Sequence, residues 1–297
     1  TDTDYIGGDM TTSEETKAIE LADSTWREEP IPMTQEQKFF FDLRGWISLP
    51  AVLTSEEIEE MKVEVYGGAK RGFEGSLQKL LDHPAIVGIL TEILAESSFV
   101  SDDVYSFRCE SSFTTTRPTG WSKPEGNGTG MPHVVRPPQQ ANAMRYQVDG
   151  NKIYAGLTRV VWELEEVKAG QGGTTFLSGS HKAHFNYGGP DPYRPNISES
   201  PWEHSMRAAM AEYSCPAGSV VIFTESLIHA ANDWINPDND RCAVFNCYNS
   251  IWAQWHRLNL DHETIEAMPS KRQSLFRGTW ALGAGGNQAY SEDNRCL

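Results

Sequence analysis

The sequence predicts a mainly β domain, a jelly roll or sandwich braced by helices at its front. Three observations carry that reading. From about residue 99, short segments rich in Val, Ile, Phe, Tyr and Thr alternate with Gly, Pro, Asn and Asp. The helical signals gather before that point. No repeat with a period of 20–50 residues is visible, which argues against a propeller.

The elements follow in order. Residues 1–33 are polar and acidic and end in Pro30-Ile31-Pro32, an N-terminal arm. Residues 34–297 are expected to form a single domain, with a helical buttress over 34–98. Thr34 with Gln37, and Thr54 with Glu57, have the spacing of capping boxes. Ile58, Met61 and Val65 then share one helical face, and Gly45–Leu49 alternates like a short strand between the two helices. Pro84 suits the first turn of a third helix, whose stripe is Ile86, Ile89, Leu90, Ile93 and Leu94. Strands are expected over 104–115, 143–148, 153–164, 174–177, 219–224 and 242–248, and a last helix near 260–276. Stretches 117–132 and 186–213 are too long and too rich in Pro and Gly for tight turns, so they are expected to be lid loops.

Composition narrows the function. The net charge of -16 disfavours nucleic acid as a partner, because that binding needs Lys and Arg to neutralise phosphates. One or two buried Arg can still hold a small anion against such a field. No apolar run reaches the length of a membrane span, and the first residues lack a signal-peptide pattern. Five cysteines, at 109, 215, 242, 247 and 296, form no C-x-x-C pair and suggest neither a zinc ribbon nor a disulfide framework. A cytoplasmic protein with reduced thiols is expected. No H-E-x-x-H, G-x-S-x-G, P-loop or G-x-G-x-x-G stands in its required context, which removes the common zinc protease, hydrolase and nucleotide-binding classes.

Among the eight His, His229 has the most informative setting. A turn at Pro216-Ala217-Gly218 leads into the apolar run Ser219–Phe223, and His229 follows six residues later. Arg241 opens the next apolar run, Cys242–Cys247. A His on one strand and an Arg at the start of the next can both point into a barrel. There an imidazole can bind a metal while a guanidinium grips a carboxylate bidentately.

The run Trp162-Glu163-Leu164-Glu165-Glu166-Val167, then Gly170, Gly172-Gly173 and Leu177-Ser178-Gly179-Ser180-His181-Lys182, resembles the central signature of the phytanoyl-CoA dioxygenase family. Phe41–Ile47, Leu53–Glu57 and Asp82-His83-Pro84 are similar to its opening. The resemblance covers most of the chain. It implies a double-stranded β-helix and an iron(II)- and 2-oxoglutarate-dependent dioxygenase that uses O2 on a small-molecule substrate. Position by position, it puts the metal ligands at His133 and His229 and the cosubstrate carboxylate on Arg241. Trp162 is expected in the core or the cavity wall, within reach of the cosubstrate. His181 belongs to a structural turn. Arg145, Tyr146, Arg194 and Trp202 are candidate substrate contacts, against the blander readings of packing for the first two and a solvated lid for the others.

One residue departs from the pattern. The family's first motif is His-x-Asp or His-x-Glu, and this chain reads His133-Val134-Val135. Related halogenating enzymes have Gly or Ala at the third position, which leaves room for a halide; Val is larger. Four arrangements stay open: a halide in that place, a carboxylate from elsewhere such as Glu110 or Glu163, two-His iron completed by water, or a site that has lost its metal. The expected reaction is therefore hydroxylation of an unactivated C–H bond, with halogenation next. The competing readings are a non-catalytic small-molecule binder on the same fold and a cupin-like metal protein with other chemistry.

Overall fold

The computed structural model describes residues 29–95, 102–122, 133, 145–183, 202–258 and 260–279. Helix α1 (Gln35–Arg44) begins at Thr34, whose hydroxyl accepts from the Gln37 backbone N–H while the Gln37 side chain accepts from Thr34 N–H. Helix α2 (Ser55–Tyr66) begins the same way at Thr54 and Glu57. Both capping boxes thus satisfy first-turn N–H groups that the helices themselves cannot. Helix α1 stops at Gly45, φ +83°, where a Cβ would stand 2.6 Å from His181 Nδ1. The chain turns there into β1 (Trp46–Leu49).

Helix α3 (Pro84–Leu94) follows a 3-10 turn and is buried along most of its length. Residues 29–33 of the expected arm meet it, with Ile31 N–H donating to Pro84 O at 3.0 Å. His83 caps α3, its Nδ1 accepting from Ala85 N–H at 3.1 Å. That role needs the neutral ring, and burial pushes the His83 pKa from 6.5 down to about 4. The unfolded chain therefore takes up a proton near pH 6.5 that the folded chain refuses. Stability is expected to fall as pH drops from 6.5 to about 4, by up to about 1.4 kcal/mol per unit. Urea midpoints across that range check it, with His83→Asn, a cap that does not titrate, showing the shallower loss.

The strands are β2 (Phe107–Arg117), β3 (Gln147–Asp149), β4 (Lys152–Tyr154), β5 (Thr158–Glu163), β6 (Thr174–Phe176), β7 (Ser219–Thr224), β8 (His229–Ala231) and β9 (Arg241–Ser250). A short helix α4 (Glu203–Ala208) precedes β7; α5 (His262–Glu266) and α6 (Ser270–Gln273) follow β9. Two expectations divide. The strand expected over 153–164 breaks into β4 and β5 around Gly156, whose φ is +67°. The helix expected over 260–276 breaks at Pro269, which has extended backbone and starts α6.

One sheet has the antiparallel order β1-β7-β5-β9-β2, and a second pairs β6 with β8. His133 bridges β8 at His229, and Ala211 bridges β6 at Phe176. The large sheet is buried on both faces, so its strands read as continuous apolar runs. Its two faces nevertheless separate with period 2. Ile47, Val160, Trp162, Val220, Ile222 and Val244 share one core with the helices. Val161, Val221, Phe223, Ala243 and Phe245 form another with Phe176 of the small sheet and with Tyr213 and Trp234. The second layer is where a cavity can open.

A buried ion pair ties the chain's end to the buttress. Arg272 donates through Nη2 to Asp82 Oδ1 at 2.8 Å and through Nε at 3.0 Å. Both side chains are almost wholly buried. Asp82→Ala would strand the guanidinium, and a loss of about 3–5 kcal/mol is expected in chemical denaturation. Among the described residues no helix is long and apolar enough to cross a membrane.

Candidate active site

A cavity of about 330 Å³ lies between the two sheets. Arg117 of β2, Arg159 of β5 and Arg241 of β9 face it, together with His133, His229 and Glu225. Three guanidiniums thus meet in one hollow of a chain whose net charge is -16.

His229 opens β8 and is buried. Its Nδ1 lies 2.8 Å from Leu227 O. A carbonyl only accepts, so Nδ1 carries the proton and the neutral ring keeps its lone pair on Nε2, the arrangement a metal ligand needs. Burial is the main reason its pKa falls to about 4; nearby His133 lowers it further, and Glu225 opposes the fall. His133 exchanges two backbone hydrogen bonds of 2.9 Å with His229. Their ring centroids are 4.2 Å apart with planes at 56°. A metal–imidazole bond of about 2.1 Å places a ring centroid roughly 3.2 Å from the ion. Two rings at the observed separation therefore fit adjacent positions on one ion.

Arg241 is fully buried. Its Nη2 donates to Glu163 Oε1 at 2.5 Å and its Nε to Glu163 Oε2 at 3.2 Å. Tyr213 OH also donates to Glu163, at 2.5 Å. The bidentate fork expected for a cosubstrate is therefore already filled by Glu163. What remains is Nη1, buried and without a hydrogen-bond partner among the described residues. An orphaned charged donor of this kind is costly unless a ligand satisfies it. The Thr174 hydroxyl, 3.4 Å from Nη2, lines the cavity beside it. These two groups fit the distal carboxylate of 2-oxoglutarate.

Glu225 was not visible as a site residue in the sequence. It continues the inward phase of Val221 and Phe223 one step past β7. Arg159 Nε donates to its Oε1 at 2.8 Å, and its Oε2 lies 3.5 Å from His229 Nε2. Burial alone would raise its pKa, but Arg159 and the two imidazoles hold it at about 2. A carboxyl at the end of an otherwise apolar strand, four residues before His229, is the signal that could have exposed it.

The other candidate residues lie off the cavity, engaged elsewhere or outside the described residues. Trp162 does not line the cavity: it points to the opposite face of β5, with its ring against His83 at 5.2 Å. Glu163 reaches the interior but is engaged by Arg241. Glu110 sits where a bulge shifts the β2 register between Cys109 and Ser111. There it accepts from the Trp255 and His256 backbone N–H groups, each at 3.0 Å, away from the cavity. Arg145 is exposed, and Tyr146 donates to Asp42 at 2.6 Å with its ring against His181. Trp202 precedes α4 and is 52% exposed. None of these three belongs to the cavity wall among the described residues. Arg194 and Val135 lie outside the described residues. His181 sits in a 3-10 turn with Nε2 3.0 Å from Asp42 O, the structural place expected for it.

A family model described as "Phytanoyl-CoA dioxygenase (PhyH)" matches residues 41–242, a span that holds both His and Arg241. The chain belongs to the phytanoyl-CoA dioxygenase family. The enzyme class and the cofactor pair expected from the sequence, iron(II) and 2-oxoglutarate, hold for this family. No curated protein matches the sequence. Among solved structures, apo HygX from Streptomyces hygroscopicus is similar at 15% identity and a TM-score of 0.55, covering 79% of this chain and 94% of its own. HygX with nickel, 2-oxoglutarate and hygromycin B bound is similar at 15% identity and 0.55, over 78% and 94%. The epimerase SnoN, in complex with Fe3+, alpha ketoglutarate and nogalamycin RO, is similar at 16% identity and 0.50, over 76% and 87%. At such identities the likeness speaks for the fold, a double-stranded β-helix.

Proposed function

We propose that this phytanoyl-CoA dioxygenase family member hydroxylates an unactivated C–H bond of a small molecule, with His133 and His229 holding iron(II) and Arg241 holding 2-oxoglutarate. The observation that carries the reading is their convergence: two imidazoles spaced for one ion, and an Arg with one unsatisfied nitrogen, in the same cavity. When bound, the metal and keto acid supply oxidation of R–H by O2, giving R–OH while 2-oxoglutarate becomes succinate and CO2.

The chain's own part is positioning. Leu227 O fixes the His229 tautomer, and Glu163 with Tyr213 fixes the guanidinium so that Nη1 meets the ligand in one orientation. Glu163 and Glu225 already neutralise Arg241 and Arg159, so Arg117 is the cavity cation that offsets part of the charge of a dianionic keto acid. Apolar walls from Phe223, Phe245 and Phe113 limit water at the reacting centre. A 330 Å³ hollow shared with a cosubstrate suits a small reacting group better than a bulky one.

The test is aerobic turnover with iron(II) and 2-oxoglutarate. Succinate formation that depends on both is expected, with substrates that accelerate it gaining one oxygen. Chlorine in the product instead of oxygen would assign halogenation. A chain that binds a metabolite tightly yet never forms succinate would be a binder.

A further inference from the structure

Position 135 carries no carboxylate, yet a carboxylate stands in the cavity beside the imidazoles. We propose that Glu225 supplies the third, anionic metal ligand, a role that rests on the iron reading above. Three observations support it. Among the described residues, Glu225 is the Glu on the cavity wall: Glu163 is held by both Arg241 and Tyr213, and Glu110 lies off that wall. Its Oε2 faces His229 Nε2 at 3.5 Å, while His229 Nδ1 already donates to Leu227 O. Nε2 and Oε2 thus point at each other across a gap that one cation could occupy. Two metal–ligand bonds of about 2.1 Å can bridge at most about 4.2 Å, so the observed gap lies within their span. Finally, Arg159 holds Oε1 at 2.8 Å, which orients Glu225 for one-oxygen ligation through Oε2.

His133, His229 and Glu225 do not form a closed ligand cluster among the described residues. Bringing all three onto one ion therefore requires a side-chain adjustment at the site. The third ligand would come from the β7–β8 turn, four residues before the second His, rather than from the strand that carries the first. Unlike a halide, a protein carboxylate in that place leaves hydroxylation as the favoured outcome.

Anaerobic titration of the full chain with cobalt(II), a spectroscopic substitute for iron(II), tests the assignment. The wild type is expected to bind one ion. Glu225→Gln, which keeps the side chain's shape and an oxygen for Arg159, should weaken binding by at least about 10-fold and alter the visible cobalt spectrum. Adding Val135→Asp to that variant should restore affinity by returning a carboxylate to the family's position. Unchanged affinity and spectrum in Glu225→Gln would overturn the Glu225 assignment while leaving the iron reading intact. A wild type that binds no cobalt would overturn both. Should Glu225→Gln fail to fold, a crystal of the wild type soaked in cobalt(II) decides. A Glu225 oxygen at a bonding distance of about 2.0–2.2 Å supports the proposal; water or chloride as third ligand, with Glu225 left on Arg159, overturns it.

Discussion

Arg241→Met is expected to weaken 2-oxoglutarate binding severely and to destabilise the fold in the same stroke. The guanidinium has two tasks on different nitrogens. Through Nε and Nη2 it neutralises Glu163, which is fully buried and also held by Tyr213. Through Nη1 it offers the donor proposed for the keto acid. Removing it strands a carboxylate in the interior, an effect of about 3–5 kcal/mol in chemical denaturation. The two tasks can be separated. Arg241→Met combined with Glu163→Leu removes the stranded charge as well, so most of the stability should return. Binding of 2-oxoglutarate should stay weak, because the Thr174 hydroxyl alone does not replace a charged donor. If the double variant regained 2-oxoglutarate affinity along with stability, Arg241 would be a structural cation and the cosubstrate site would lie elsewhere.

The second large effect is expected at His229. Its Nε2 faces the cavity with the tautomer set by Leu227 O, so His229→Ala removes the proposed metal ligand and its orienting contact together. Changes in residues that merely orient ligands lower metal affinity about 10–100-fold. Loss of a ligand itself should exceed that range, and succinate formation should fall to background. Stability should change little by comparison, since Glu225 keeps its partner Arg159 and the ring touches mainly Phe223 and His133. Metal affinity by calorimetry and a thermal melt separate the two readouts.

Much of this was legible in the sequence because local chemistry and global fold agree. The spacing of Thr34 with Gln37, and of Thr54 with Glu57, specified two helix starts that the backbone realises. The run Ser219–Thr224 was legible to the residue, bounded by Gly218 at φ +77°. Side-chain phase was harder. Thr158–Glu163 is buried on both faces, so alternation gives no sign of which side holds the cavity. Trp162 accordingly packs on the helices, while its neighbours Val161 and Glu163 turn inward. A bulge at Glu110 inverts the phase of β2 midway, and nothing in Cys109-Glu110-Ser111 announces it. The pairing of Glu163 with Arg241 joins residues 78 positions apart, and it narrows the expected two-nitrogen grip to Nη1. Glu225 lies outside the family pattern, and the fold sets it beside His229.

Anaerobic addition of iron(II) and 2-oxoglutarate tests most directly whether His133, His229 and Arg241 meet around one ion and one keto acid. A chelate of the two gives a visible charge-transfer absorption that neither gives alone. The wild type should develop that band to saturation at one equivalent of each, His229→Ala should show none, and Arg241→Met with Glu163→Leu should need far more keto acid. A wild type that stays colourless at saturating iron(II) and 2-oxoglutarate, while remaining folded, would contradict the shared site.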